Sequence, residues 1–393
     1  MKDMKRLGEG VRNVIALGFV SFFTDISSEM CFSVLPAFIL RLPGASMSVL
    51  GLIEGVAEAI SYSMRAVSGI FSDAFRRRKV IAIVGYAISN AVKPLFAAAQ
   101  TAVDALIIRV GDRVGKAVRT SPRDALLSES APEKRIGTYF GLHRTLDQMG
   151  AILGPILASV LMLFLGFTVQ QIFLFSFLPG LAALLVLFVL VQERVGKPVG
   201  RKRMLTRMGD ILTRRFLMLL LVVGVFSIGA FDFSFVLLRA RDIGVADALI
   251  PFVYAVINVS HTLVAIPAGY LSDRIGKEAA LVLGYGTFLA SALLLSGTFE
   301  TPFYAFLIAF VYGAYVGIVE TIQRALVPTY APNELRGTAY GIYYLTVGLS
   351  FLVSNTTIGY LWQTFGPSFA FTYSAVTSVA AITGIAIFIK ATS

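Results

Sequence analysis

Long apolar runs recur along the whole chain, and they constrain its fold more than any other feature. An α-helix needs about 20 mostly apolar residues to span a bilayer. Runs of that length occur at 12–40, 47–71, 79–100, 102–122, 135–165, 168–192, 214–240, 246–272, 277–298, 301–328, 335–364 and 366–391. They are continuous, whereas a membrane β-barrel shows segments of about ten residues with alternating polarity. We therefore predict an all-α integral membrane protein with twelve transmembrane helices.

Composition and charge agree with this prediction. Of the 393 residues, 56% are hydrophobic and 15% are charged, too few for the polar surface of a soluble domain. The basic residues cluster in alternate connections, whereas the intervening ones, such as QTAV and GFTVQQ, are nearly uncharged. The clusters are Lys2, Lys5 and Arg6; Arg76–Lys79; Arg119, Arg123, Lys134 and Arg135; and the basic residues of 194–215. The positive-inside rule then places both termini and the central loop in the cytoplasm of a multi-pass inner-membrane protein. The same rule explains the net charge of +11, so we predict no nucleic-acid partner.

The chain also repeats itself at an offset of 200 residues. GIFSDAFRRRK at 69–79 returns as GYLSDRIGK at 269–277, and APEKRIGTYFG from Ala131 returns as APNELRGTAYG from Ala331. Two matches in one register indicate a duplicated unit of six helices. We predict an N-terminal bundle at 1–192, a cytoplasmic linker at 193–215 and a C-terminal bundle at 216–393.

The repeated segment resembles the motif G-x-L-[AS]-D-[RK]-x-G-R-[RK] of the major facilitator superfamily. The first copy departs from it at Ala74 and Arg76, and the second ends at Lys277. The matching residues are Gly69, Asp73, Arg77 and Arg78 in the first copy, and Gly269, Asp273 and Arg274 in the second. The resemblance implies two pseudo-symmetric six-helix bundles, and a gate at these motifs that latches the halves while the cavity faces outward.

Two further segments are similar to motifs of this superfamily. GAILGP contains Gly150, Gly154 and Pro155 and is similar to the G-x-x-x-G-P motif of its drug:proton antiporters. Glycine and proline there bend the helix and permit close packing. The fourth apolar run is similar to R-x-x-Q-G-x-G, a motif associated with proton coupling. It matches at Arg109 and Gly115 and departs at Asp112 and Arg113, where the motif has Gln and Gly.

Ionisable residues inside several runs are the candidates for coupling. Each costs about 2.5–3.5 kcal/mol at the centre of a span, so it should face water, a partner or a substrate. A carboxylate near an arginine in such a site can change protonation when its access or its partner changes. The candidates are Asp25, Glu29, Glu54, Glu58, Arg109, Asp112, Arg113 and Asp147. We expect the acidic set of the first two runs to meet the basic set of the fourth and fifth, with Asp25 and Asp147 foremost; a purely structural ion network is the alternative.

The second half contains less buried charge, which indicates coupling in the N-terminal half and more of the apolar, aromatic substrate contact in the C-terminal half. The substrate-binding candidates are Arg113, Arg144, His143, Asp232, His261, Asn258 and Tyr344.

The sequence contains no nucleotide-binding loop, metal-ligand spacing or nucleophile elbow, so it predicts no enzyme, cofactor or metal site. We predict a monomeric secondary transporter whose partners are a small-molecule substrate, protons and the bilayer. Proton-coupled export of a small organic compound is the leading hypothesis. The alternatives are uptake or exchange of an anionic metabolite, transport of a divalent metal bound by Asp25, Glu29, Glu54 and Glu58, and a non-transporting membrane receptor or assembly factor.

Overall fold

The computed structural model describes residues 2–75, 78–130, 136–193, 212–297, 301–331 and 336–392. Side chains are described for 10–64, 78–130, 138–193, 212–297, 301–331 and 336–390. Every regular element in these ranges is a helix, which confirms the predicted all-α class.

The α-helices follow the predicted runs, with some runs divided. In chain order they are α1 Lys2–Ile39, α2 Met47–Phe75, α3 Arg78–Val92, α4 Ala102–Ser130, α5 Ile136–Leu165, α6 Val169–Phe175, α7 Phe177–Leu190, α8 Arg214–Ser227, α9 Phe233–Asp242, α10 Ile250–Ile275, α11 Lys277–Ser296, α12 Phe303–Leu326, α13 Arg336–Phe365 and α14 Pro367–Thr392. Short 3₁₀ helices occupy Lys93–Ala98, Asp247–Leu249 and Val327–Thr329.

Three predicted boundaries differ from the structure. The fourth run continues as α4 to Ser130, so Arg119 and Arg123 lie within the helix rather than in a connection. The predicted helix 214–240 is interrupted between α8 and α9, where Asp232 caps a new helix. The third run changes to a 3₁₀ helix at Lys93, because Pro94 has no N–H for the α-helical hydrogen bond.

Within the described residues, eight helices or runs of adjoining helices are long and apolar enough to span a membrane. The runs that fall short are α2 and α4, which contain several charges, the interrupted α8–α9, and α13, which is rich in Ser, Thr, Asn and Tyr. Side chains of these helices, together with those of α1, α5 and α12, form the candidate sites below. The count of twelve spans stays a prediction.

Large apolar side chains cover much of the surface. Ile266 is 81% exposed, Phe164 is 79% exposed, and Phe188 and Phe303 are each 70% exposed. A soluble monomer rarely exposes so much apolar surface, whereas a surface that contacts lipid must be apolar.

The chain divides into two compact units. One contains 1–38 and 64–200, and the other contains 39–63 and 201–393. The second unit therefore includes the first half of α2, which packs closely on α13. A Cβ atom at Gly51 would lie 2.1 Å from the carbonyl oxygen of Asn355, and one at Gly359 would lie 2.4 Å from that of Met47.

Glycine contacts also bring helices together inside the first unit. A Cβ at Gly150 of α5 would lie 2.3 Å from the carbonyl oxygen of Phe22, and one at Gly154 would lie 2.7 Å from that of Ile26, both on α1. Between α3 and α4, Gly85 and Gly115 make similar backbone approaches. Because lipid is as apolar as the side chains, such close van der Waals packing is a main source of helix association in a membrane.

In the second unit, glycines bring α10 and α12 into close contact. A Cβ at Gly313 would lie 2.2 Å from the carbonyl oxygen of Ile257, and one at Gly317 would lie 2.6 Å from that of His261. α11 packs on both α12 and α14. Buried rings, among them Phe226, Tyr285 and Phe288, fill the interior of this unit.

We predict that Gly154→Ala destabilises the protein while Gly141→Ala, in the same helix, does not. The added methyl group at residue 154 meets α1 backbone that cannot move aside, whereas a Cβ at residue 141 has no neighbour within 4 Å. Overpacking of this kind costs about 1–3 kcal/mol, and alanine in an open helical position gains up to about 1 kcal/mol over glycine. The melting temperatures of the two variants in detergent test this; equal shifts would contradict it.

Candidate functional site

Two acidic side chains in the first unit are in direct contact. Asp25 of α1 and Asp147 of α5 are hydrogen-bonded to each other through their carboxyl groups. Glu29, one turn along α1, and Lys116 of α4 lie near enough to act on the charge of Asp25. Two carboxyl groups this close can share one proton, because adjacent carboxylate charges repel each other.

Two arginines also lie close to the carboxylate of Asp147. Nη1 of Arg144 lies 2.7 Å from its Oδ2, the predicted i,i+3 pair on α5. Nη1 of Arg123 lies 3.9 Å from its Oδ1, and Arg123 also pairs with Asp124 at 2.9 Å. Arg123 thus belongs to this site and not to a cytoplasmic loop.

His143 is tied into the same group through a serine. Its Nε2 lies 2.9 Å from Oγ of Ser21 on α1, and Nη1 of Arg123 donates to that same Oγ at 3.3 Å. His143 is buried, whereas the Arg144 side chain is 53% exposed. The predicted substrate ligands His143 and Arg144 are therefore neighbours of the acidic pair.

A second charged group is centred on Asp112 of α4. Its Oδ1 accepts a 2.5 Å hydrogen bond from Oγ of Ser89, and the carboxylate is buried. Four buried cations lie close enough to act on its charge, and they are Lys93, Arg109, Arg113 and Arg119. One carboxylate within electrostatic reach of four cations makes this part of the first unit electropositive.

Lys93 is a member of this group that the sequence analysis missed. Its side chain is fully buried, and Nζ donates to Oγ of Ser27 at 2.6 Å and to Oγ of Ser28 at 3.2 Å, both on α1. A lysine followed by proline in the middle of an apolar run was the available signal, since a buried lysine in a membrane is costly and needs partners.

Aromatic faces support the same cations. Cζ of Arg109 lies 4.0 Å from the ring centroid of Phe32 and Cζ of Arg113 lies 5.5 Å from it, while Arg119 lies 4.8 Å from that of Tyr86. Cation–π contacts stabilise a cation most where it is desolvated. Phe32 thus connects α1 to the two arginines predicted to act in coupling.

The acidic residues of α2 have a different location. Glu54 is buried and Glu58 is partly buried in the part of α2 that belongs to the second unit. Asp25 and Glu29 belong to the first unit. The expected meeting of Glu54 and Glu58 with the basic residues of α4 and α5 stays a prediction.

The second unit contains an interrupted helix whose exposed backbone is bonded by side chains. Between α8 and α9, the carbonyl of Ile228 accepts from Tyr373, that of Ala230 from Ser354, and that of Phe231 from Tyr312, at 2.8, 2.5 and 2.7 Å. Irregular backbone at membrane depth is tolerated where protein satisfies it, and transporters use such breaks at binding sites.

Asp232, predicted as a substrate ligand, forms the cap at this break. Its Oδ1 accepts hydrogen bonds from the N–H of Ser234 at 2.9 Å and from its Oγ at 2.5 Å, and its own N–H donates to Oδ1 of Asn355 at 2.8 Å. Asp232 is buried, so it also brings a negative charge into the second unit.

Tyrosines lie near this charge. Tyr312 is within electrostatic reach of Asp232, Glu320 and Glu58, and Tyr315 is within reach of Tyr62 and Glu320. The other predicted ligands of this unit are placed on α10, where Asn258 is buried and His261 half-buried, and on α13, where Tyr344 is half-buried.

The family of the chain follows from its match to known sequences. The sequence model of the Major Facilitator Superfamily matches residues 17–354, with a second match over 226–392. The chain belongs to the major facilitator superfamily. An uncharacterized MFS-type transporter of Methanocaldococcus jannaschii is 34% identical over 376 residues, which cover 94% of this chain and 92% of that protein. The multidrug resistance protein MdtG of Enterobacter lignolyticus is 24% identical over 347 residues, or 84% of this chain and 80% of that protein.

Solved structures of other transporters share the fold. A variant of the nucleoside transporter NupG superposes with a TM-score of 0.81 at 14% identity, covering 96% of this chain and 99% of that one. A peptide transporter POT bound to sulfate gives a TM-score of 0.78 at 12% identity, covering 96% and 94%. The chain is thus a multi-pass membrane transporter and not an enzyme.

The gate motif of the superfamily is described mainly in its second copy. Gly69 and Asp73 lie in the last part of α2, for which side chains are not described, and Arg77 lies outside the described residues. Arg78 forms a salt bridge with Glu129 at the end of α4.

In the second copy, Asp273 and Arg274 are exposed, and Arg274 donates to the hydroxyl of Tyr270. Gly276, which follows α10, has φ of +91°, a conformation that favours glycine and so accounts for the motif residue. A Cβ at Gly269 would meet Thr321 at an ordinary 3.7 Å. The latch function stays a prediction.

We predict that Asp112→Asn destabilises the protein far more than Lys93→Met. Asp112 is the carboxylate that the four buried cations share, so its removal leaves them to repel one another. Loss of one partner of a buried ion pair costs about 3–5 kcal/mol. Lys93→Met leaves Asp112 with three cations and removes excess positive charge.

Melting temperatures of the purified variants in detergent test this ordering. Asp242→Asn, an exposed carboxylate at the end of α9, is the control and should leave the melting temperature unchanged. An equal loss in Asp112→Asn and Lys93→Met would show that Asp112 is not the centre of the group.

Proposed function

We propose that this chain is a secondary active transporter that works by alternating access and exports a small organic compound in exchange for protons. The observation that supports it most is the hydrogen-bonded pair of Asp25 and Asp147 with arginines on one side. Proton-coupled carriers need a group that takes up a proton on one side of the membrane and releases it on the other.

The geometry supplies such a group. While Asp25 and Asp147 are in contact, they share one proton, because two adjacent carboxylate charges repel each other. When the pair separates, Asp147 keeps Arg123 and Arg144 as partners, and the proton can exchange with water. Glu29, Lys116, His143 and Asp124 are the other charged or titratable groups that face the pair.

Helix packing connects this proton site to movement. Gly150 lies one turn beyond Asp147 on α5, and it contacts the backbone of Phe22, one turn before Asp25 on α1. A small slide or rotation of α5 along this glycine contact changes the distance between the two carboxyl groups. Such a movement of α5 against α1 during alternating access would then alter proton binding.

The relatives are compatible with export. MdtG is named a multidrug resistance protein, and the GAILGP segment is similar to the antiporter motif. The structural neighbours are named for nucleosides and peptides, so the fold alone does not select a substrate. We also propose twelve spans, cytoplasmic termini and a monomer, on the charge pattern and the internal repeat.

We predict that Asp25→Asn and Asp147→Asn each reduce pH-gradient-driven flux at least tenfold, because an amide cannot carry the exchanged proton. Substrate exchange without a gradient should persist, since it requires no net proton movement. The assay uses proteoliposomes and the compound with the highest saturable flux in a panel of fluorescent organic cations and anions.

Asp242→Asn is the matched control for this assay, because it makes the same chemical change in an exposed carboxylate. Undiminished gradient-driven flux in both Asp25→Asn and Asp147→Asn would exclude this pair as the coupling site.

Transport of an anionic metabolite is the second candidate, and the excess of buried cations around Asp112 favours it. A substrate carboxylate or phosphate would balance this charge, and arginine binds both groups well. Among the described residues, no group of three or more His, Cys, Asp or Glu side chains converges as in a metal site, so the divalent-metal alternative has no supporting geometry there.

We predict that Arg113→Ala separates the two candidates. It should abolish transport if the substrate is an anion, because Arg113 is a buried cation beside Phe32. It should only weaken proton-driven export of a neutral or cationic compound. Flux of the panel compounds in Arg113→Ala vesicles is the measurement. Retained anion flux would show that Arg113 does not bind the anion, and saturable flux of cations alone would contradict the anionic alternative.

A further inference from the structure

Four aromatic rings in the second unit form a ladder. Its members are Tyr340, Tyr344, Tyr62 and Phe351, and successive ring centroids lie 6.1, 5.8 and 6.1 Å apart. The ring planes are nearly parallel, with interplanar angles of 26°, 34° and 27°. All four side chains are only half-buried, so the ladder has surface that another ring can contact.

An ion pair on α12 lies beside this ladder. Nη2 of Arg324 lies 2.6 Å from Oε2 of Glu320, and the two side chains are 41% and 37% exposed. The hydroxyl of Tyr340 donates to the backbone carbonyl of Arg324 at 2.8 Å, and Tyr62 and Tyr344 are within electrostatic reach of its guanidinium. Because both side chains are more than a third exposed, the ion pair is accessible, and a ligand cation can replace Arg324 at Glu320.

The surroundings of the ladder favour a cation. Three acidic side chains are within electrostatic reach of Tyr312: Glu320, Glu58 of α2 and Asp232 at the helix break. Tyrosine rings are negative on their faces and attract cations within about 6 Å. Stacked rings and carboxylates together recognise a flat aromatic ring that has a positive charge.

Part of the ladder is specific to the second copy of the repeat. At the offset of 200, Tyr344 corresponds to Arg144, Phe351 to Ala151 and Glu320 to Thr120, whereas Tyr340 corresponds to another ring, Phe140. The first copy therefore lacks two of the rings and the carboxylate, so the complete ladder is not a requirement of the shared fold.

We propose that the aromatic ladder with Glu320 is the binding site for a planar aromatic organic cation. The proposal rests on the proposed transport function, since it names the class of compound that the transporter exports. The ligand ring packs on Tyr344 and Tyr62, and its charged edge replaces Arg324 at Glu320.

Ethidium is a suitable probe, because it is a flat aromatic cation and is fluorescent. Its Kd is measured by titration of the full-length protein in detergent. Tyr344→Leu should weaken binding at least tenfold, Tyr344→Phe should retain binding because the ring remains, and Glu320→Gln should weaken it about tenfold. If Tyr344→Leu does not fold, Tyr62→Leu, on another helix, tests the loss of a ladder ring in its place. Asp242→Asn is the control.

Two competitors separate the contributions of ring and charge. Tetraethylammonium has the positive charge without an aromatic ring, and pyrenesulfonate has aromatic rings with a negative charge. Proflavine, a second flat aromatic cation, should displace ethidium better than either of them. Unchanged ethidium affinity in the leucine variants and Glu320→Gln, no ethidium binding at all, or equal displacement by pyrenesulfonate would overturn the proposal.

The two proposals fail separately. If ethidium does not bind while another compound supports proton-driven flux that depends on Asp147, the ladder proposal is wrong and the transport mechanism stands. If ethidium binds at the ladder while Asp25→Asn and Asp147→Asn leave gradient-driven flux unchanged, the binding site stands and the coupling site is wrong.

Discussion

Hydrocarbon offers no hydrogen-bond partner, so charges and unpaired backbone groups at membrane depth need their partners inside the protein. The two units meet this requirement in different ways. In the first, Asp112 lies among four buried cations and Asp147 lies between two arginines. In the second, the hydroxyl groups of Tyr312, Ser354 and Tyr373 bond the carbonyls of an interrupted helix.

This difference arose on two copies of one sequence unit. At the repeat offset, Asp112 corresponds to Tyr312, His143 to Tyr343 and Arg144 to Tyr344. Charged residues in the first copy are thus matched by aromatic hydroxyls in the second. Buried charges suit the proposed proton site and stacked rings suit the proposed cation site, so under these two proposals each copy has a different chemical task.

Close helix contacts at glycines fix the positions of the charged groups. Gly150 and Gly154 bring α1 and α5 to backbone contact, and this places Asp25 against Asp147. Gly85 and Gly115 do the same for α3 and α4, beside Ser89, which donates to Asp112. A charged site in a membrane therefore depends on residues that have no side chain, because only they let the helices approach closely enough.

The sequence by itself determined the all-helical class, the internal repeat and the superfamily, because span length, hydropathy and motif spacing are local properties of the chain. It also singled out Asp25, Asp147 and Asp112 as candidates, since a charge in an apolar run is visible without a structure. Only the tertiary structure decided which charges meet. It placed Arg123 and Lys93 in the sites, divided the predicted helix at 214–240, and grouped the first half of α2 with the second unit. These outcomes depend on how helices rotate and pack against one another, and hydropathy contains no information about rotation between helices that are distant in sequence.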